Sequence, residues 1–135
     1  MYIMRIPTTT REDYLKALLV LEKRLGKIHS VDLARYLGIS RPSVCHAVSK
    51  LTEKGFLVMD KDHLLHLTYD GRQIAEKTYG RYHYFTEKLV ELGVDRETAE
   101  KDACRLEHAI SEQSFQLLKA KLGDVADADP DPAHD

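Results

Sequence analysis

Ser40-Arg41-Pro42-Ser43-Val44-Cys45-His46-Ala47-Val48-Ser49-Lys50-Leu51 is the stretch whose reading decides the fold. Ser40 offers a side-chain oxygen to the orphan N–H groups at a helix start. Pro42 falls in the first turn, where a missing N–H costs nothing. Val44, Ala47, Val48 and Leu51 recur at helical spacing and form one inward stripe, and Gly55 ends the helix. Arg41, Ser43, His46 and Lys50 fall on the other side, a polar face with no packing purpose. Cys45 is expected to pack against a neighbouring helix.

Upstream, Ser30 is expected to cap a short helix with Leu33, Ala34 and Leu37 inward, and Gly38 permits the left-handed turn that closes it. Further back, Tyr14, Ala17, Leu18, Leu21 and Leu25 repeat with helical period after Thr8-Thr9-Thr10, which supplies capping residues, and Gly26 stops that helix. Downstream, Phe56–Met59 and Leu64–Leu67 flank the polar turn Asp60-Lys61-Asp62-His63 and read as a small hairpin. Helix, helix, tight turn, helix and hairpin make a winged helix-turn-helix over residues 8–70. In that fold the third helix reads base edges in the major groove, while its flanks and the wing touch phosphates. Ser40, Arg41, Pro42, Ser43, His46 and Lys50 are therefore the expected DNA-facing residues, joined by Lys61 at the hairpin tip.

The remainder reads as all-helical, so the fold class is mainly α with one small β-hairpin. A long helix is expected from about Tyr69 to Leu92, capped near Thr68 and stopped by Gly93. Asp95 caps a second, Arg96 to about Ala109, and Ser111 caps a third, Glu112 to Leu122. Residues 71–123 thus form a second domain. Leu89, Val90, Leu92, Ile110, Phe115, Leu117, Leu118 and Leu122 exceed what three helices bury among themselves, which supports a homodimer. The tail, 124–135, is acidic and proline-containing and is expected to be disordered.

Charge and cysteine content narrow the function. The net charge is −2, yet from Arg24 to His66 seven Lys/Arg face four acids, while the last twelve residues hold five Asp. A modestly basic module in a near-neutral chain is compatible with double-stranded DNA as partner. No apolar run approaches the ~18 residues of a membrane span, and Met1–Thr10 lacks a signal-peptide core, so the expected location is the cytoplasm with no membrane partner. Two cysteines, Cys45 and Cys104, are too few for a disulfide framework.

Cys104, Glu107 and His108 stand at i, i+3 and i+4 and so share one helical face. Thiolate, carboxylate and imidazole together suit a first-row transition metal; the same pattern also fits an ordinary amphipathic helix with a buried thiol and a surface Glu-His pair. Used as nucleophile and base, Cys104 and His108 would lack any glycine-rich loop or oxyanion hole, so an enzyme is not expected.

The run Asp102-Ala103-Cys104-Arg105-Leu106-Glu107-His108, followed by Ala109-Ile110-Ser111-Glu112, resembles the metal-binding helix of the diphtheria toxin repressor family, which includes the manganese transport regulators. Glu12-Asp13-Tyr14-Leu15 is similar to the family's opening helix, Arg41-Pro42-Ser43-Val44 to its recognition helix, and Leu67-Thr68-Tyr69-Asp70-Gly71 to its wing exit. The resemblance covers about residues 8–122. It implies a homodimeric, metal-dependent regulator that binds operator DNA when loaded with Fe(II) or Mn(II), typically repressing metal-uptake genes. It also implies Asp13, Cys104, Glu107 and His108 as ligands bridging the first helix and the dimerisation domain.

Three departures bear on the ligand set. Lys16 stands where manganese-type members place a second first-helix carboxylate; with the soft donor Cys104, this tilts the expected metal toward iron. Tyr82, not His83, falls in the column of the family's long-helix histidine, so His83 ligates only if that helix shifts register, with Glu87 then sharing its face. Glu100 falls where some members have an ancillary histidine, and either ligates or faces solvent. The competing expectation is a metal-insensitive winged-helix regulator with a degenerate site.

Overall fold

The computed structural model describes residues 11–126. In chain order these form α1 (Arg11–Leu25), α2 (Ser30–Leu37), α3 (Arg41–Glu53), β1 (Leu57–Met59), β2 (Leu65–Leu67), α4 (Tyr69–Glu91), α5 (Arg96–Leu106) and α6 (Glu112–Leu122). Thr8–Thr10, expected to cap the first helix, and residues 127–135 of the tail lie outside the described residues. The chain divides into two compact units, one ending at Lys77 and the other beginning at Thr78.

In the first unit the core is built from Leu15 and Leu18 of α1, Leu33 of α2, Val44 of α3 and Leu57 of β1, all fully buried. Each such side chain contributes roughly 1.5–3 kcal/mol when removed from water, and the five come from four different elements. Gly38 closes α2 at φ 69°, the left-handed geometry expected of it. Ser40 caps α3 by accepting the Ser43 N–H at 3.2 Å. The start of α2 differs from expectation: His29, not Ser30, is the capping residue. The reason is Asp32, whose carboxylate reaches back to accept the His29 N–H at 2.8 Å and draws Ser30 into the first turn.

The hairpin is antiparallel and pairs Leu57 with Leu67, Val58 with His66 and Met59 with Leu65. It is tied to the helices at two points. The Leu65 N–H donates to the Ile28 carbonyl at 2.8 Å. Thr68, just past β2, donates its hydroxyl to the Gly55 carbonyl at 2.7 Å and its N–H to the Phe56 carbonyl at 3.1 Å. The Thr68 hydroxyl oxygen also accepts the Gly71 N–H at 3.0 Å, so one side chain caps α4 and anchors the exit of α3.

The second unit comprises the later part of α4 with α5 and α6. Its apolar centre is Tyr84, Ala99, Ala103 and Phe115. Tyr84 meets Phe115 edge-on at 5.4 Å, Phe85 meets Phe115 at 5.8 Å, and the Tyr84 hydroxyl donates to the Gly123 carbonyl at 3.0 Å. Asp95 and Ser111 cap α5 and α6 as expected, accepting the N–H groups of Thr98 and Ser114. Among the described residues, Leu92, 80% exposed, and the exposed Leu106, Leu117 and Leu122 are the large apolar side chains on the surface of this unit.

A β-carbon on Gly71 would collide with the Phe56 carbonyl, a backbone group fixed by Thr68. Gly71→Ala is therefore expected to lower stability by about 1–3 kcal/mol, the usual cost of overpacking, as read by chemical denaturation. A variant as stable as the parent would show that the α3–β1 junction yields freely.

Candidate metal centre and nucleic-acid interface

On α3 the inward stripe of Val44, Val48 and Leu51 is buried, whereas Ser40, Arg41, Pro42, Ser43, His46 and Lys50 are all exposed. The Ser40 hydroxyl also donates to Ser43 Oγ at 2.9 Å, so the two serines at the helix start form one local unit. Cys45 is exposed as a free thiol, contrary to the expectation that it packs inward. Its position explains this: it lies about 100° round the axis from Val44, which puts it on the polar side with His46.

The wing tip is held from within. Asp60 Oδ1 accepts the N–H groups of Asp62 at 2.8 Å and Leu64 at 3.0 Å, while Oδ2 lies 2.8 Å from His66 Nε2. These bonds, that to His66 foremost, hold the Asp60 carboxyl below the ordinary aspartate pKa. His63 completes the turn at φ 65°, and Lys61 stands exposed on it. Asp60 went unread in the sequence, although an Asp two residues before a turn N–H is a recognisable turn signature.

Asp13 lies in the first turn of α1 and is 9% exposed. Its neighbour Tyr14 has a raised pKa, first from burial and then from the charge of Asp13. Lys16, half-buried, follows one turn later.

In the second unit α5 stops at Leu106, three residues short of the expected end at Ala109. Glu107 and His108 therefore lie on a turn, not on the helix that carries Cys104. The backbone tightens there: the His108 N–H donates to the Arg105 carbonyl at 3.2 Å and the Ala109 N–H to the Leu106 carbonyl at 3.0 Å, both three residues back. Glu107 is 2% exposed, and a carboxylate oxygen of Glu107 lies within 4.8 Å of a ring nitrogen of His108. Cys104 is half-buried and in no disulfide, and Glu100 is half-buried one turn earlier.

The long-helix candidates have other neighbours. His83 Nε2 lies 2.6 Å from the Ala126 carbonyl, and its ring stacks on Tyr79 at 6.2 Å. Tyr82 tilts against Tyr79 at 5.9 Å. Glu87 accepts two hydrogen bonds from Arg96, at 2.9 and 3.4 Å, which raise the Arg96 pKa.

Arg81, 9% exposed, went unnoticed in the sequence. Its Nη1 donates to the Glu107 carbonyl at 3.2 Å and the Ile110 carbonyl at 2.7 Å, and its Nη2 donates to Glu112 Oε1 at 2.8 Å. The guanidinium carbon sits 5.3 Å from the Phe115 ring centre.

Residues 8–65 match the iron dependent repressor, N-terminal DNA binding domain, and residues 68–133 match its metal binding and dimerisation domain. The chain belongs to the iron-dependent repressor family. Relatives include the transcriptional regulator MntR of Escherichia coli O6:H1, 31% identical over 83% of this chain and 74% of that protein. Another is the HTH-type transcriptional regulator MntR of Lysinibacillus sphaericus, 30% identical over 93% of this chain and 90% of its own length. Among solved structures, a manganese-dependent transcriptional repressor in complex with manganese superposes with a TM-score of 0.75 at 30% identity, covering 84% of this chain. IdeR of T. acidophilum superposes at 0.74 and 26% identity, covering 86% of this chain. The chain spans about half the length of these two solved proteins, 53% and 55%. The two matched domains are those of a DNA-binding regulator and not of an enzyme. Among the described residues no helix is long and apolar enough to cross a membrane.

Asp60→Ala is expected to remove the acceptor for two wing N–H groups and so raise amide hydrogen exchange at Asp62 and Leu64, leaving α1–α3 unchanged. Because the Asp60 pKa is lowered on folding, its stabilising effect is present above the ordinary aspartate value and lost as pH falls through the lowered one. NMR exchange at successive pH values checks both; equal protection in parent and variant would contradict them.

Proposed function

We propose that this chain is a metal-dependent transcriptional regulator that binds operator DNA as a homodimer, a repressor of metal-uptake genes activated by one divalent transition-metal ion per protomer. Residues 8–70 act as the DNA-reading head, and residues 71–123 as the metal-binding and pairing domain. The observation that carries the reading is Glu107, a carboxylate 2% exposed beside the His108 imidazole, in a chain whose α3 presents an exposed polar face. A carboxylate so deeply buried is costly unless it is paired, hydrogen-bonded or coordinates a metal.

The donor chemistry fits a metal. Asp13 and Glu107 supply carboxylates, His108 an imidazole and Cys104 a thiolate, a set suited to Fe(II) or Mn(II). Lys16, one turn after Asp13, cannot ligate while protonated and adds a positive charge that opposes a second ion. When bound, a divalent cation would supply the positive charge that offsets these donors. Without it, mutual repulsion of Asp13, Glu107 and an ionised Cys104 favours a looser pairing of reading head and dimer domain, so that two α3 helices are not held at the one-turn spacing of operator half-sites. On DNA, Arg41 is suited to a bidentate contact with guanine, Ser43 and His46 to a base or phosphate, and Lys50 and Lys61 to phosphates.

Cys104, a soft donor, favours iron. The manganese-dependent repressor among the structural relatives favours manganese. Competition between the two ions for the anaerobic protein separates these readings.

A mobility-shift titration tests the whole. Operator affinity is expected to rise with Fe(II) or Mn(II), to fall with chelator, and to lose its metal response in Glu107→Gln. Affinity indifferent to both metals and chelator would instead support the metal-insensitive regulator. Arg41→Ala, losing a contact of about 1–3 kcal/mol, is expected to weaken loaded binding roughly 5- to 150-fold; an unchanged dissociation constant would remove Arg41 from the base-reading set.

A further inference from the structure

The geometry points to Arg81 as a positioning residue for the metal site, one that touches no metal donor atom but sets the backbone from which Glu107 and His108 project. The inference rests on the metal-binding reading above.

The need for Arg81 arises from the early end of α5. The last carbonyls of a helix lack intrahelical partners. In a continuing helix the Glu107 carbonyl would accept the N–H of Ser111, but Ser111 caps α6 with an extended backbone, φ −72° and ψ 161°, and so lies outside the α5 helix. The carbonyls of Glu107 and Ile110 are thus left facing a part-buried interior, where an unmet acceptor costs about 1–3 kcal/mol. Arg81 meets both with one nitrogen and holds the first turn of α6 through Glu112 with the other. The Phe115 ring beside the guanidinium further restricts it. Three fixed points, at Glu107, Ile110 and Glu112, leave the intervening turn little freedom.

The arrangement requires arginine in particular. Its fork is rigid and always charged, and it reaches three acceptors at once, whereas a lysine ammonium is a single point on a flexible stem. Groups that orient metal ligands without touching the ion typically matter 10- to 100-fold in metal affinity. Arg81 acts on two adjacent donors through the backbone, so the effect of losing it belongs in that range.

The test uses the full chain, purified anaerobically, with Mn(II) as the probe ion. Arg81→Met, Arg81→Lys and Glu112→Gln are compared with the parent by isothermal titration, by the EPR line shape of bound Mn(II), and by melting of the metal-free protein. Arg81→Met is expected to lose 10- to 100-fold in affinity and to change the Mn(II) line shape, with Arg81→Lys recovering part of both and Glu112→Gln lying nearest the parent. Arg81→Met and Arg81→Lys that both bind Mn(II) within twofold of the parent would overturn the inference. So would a loss of affinity that merely tracks the melting temperature with an unchanged line shape, since that is a stability effect. If Arg81→Met does not fold, Arg81→Lys decides by the same criteria. A parent chain that binds no Mn(II) or Fe(II) would instead defeat the metal-binding reading itself.

Discussion

The second unit depends on one guanidinium. Two helices meet there through a turn too short to satisfy its own carbonyls, and an interior does not tolerate unmet acceptors. Arg81 resolves that conflict from α4 by taking the Glu107 and Ile110 carbonyls and the Glu112 carboxylate together. α5 ends at Leu106, so Glu107 and His108, the proposed adjacent donors, lie on a turn that Arg81 braces. The chemistry proposed for the chain begins at that break in the helix.

The first unit is governed by a different constraint. Its hairpin has only three residues per strand, too little pairing to stand alone. It is held instead by the backbone bond from Leu65 to Ile28 and by Thr68, which caps α4 while bonding Gly55 and Phe56. A wing so anchored keeps Lys61 at a defined distance from α3, as its proposed contact with the DNA backbone requires.

Legibility in the sequence followed the range of the interactions. Helix starts at Ser40, Asp95 and Ser111 and the left-handed stop at Gly38 are local, set within a few residues, and were readable directly. The cap of α2 was misread because Asp32 reaches backward and outcompetes Ser30. Cys45 was misread because a helical face was assigned from residue type, where the angle from Val44 places it outside. The end of α5 was not legible at all: the turn that follows it is braced by Arg81, 26 residues before Glu107, and nothing in the spacing of Cys104, Glu107 and His108 signals a break. The resemblance pointed to a metal-dependent regulator, and the family matches agree with that, but the turn that carries Glu107 and His108, two of the proposed donors, is a tertiary feature.

X-ray absorption at the metal edge, on the anaerobic chain loaded with one equivalent of Fe(II), tests the central claim most directly. The account predicts a mixed shell of oxygen and nitrogen donors with the multiple-scattering signature of an imidazole, His108, and a sulfur scatterer from Cys104. A spectrum of oxygen neighbours alone, without imidazole or sulfur, would contradict it.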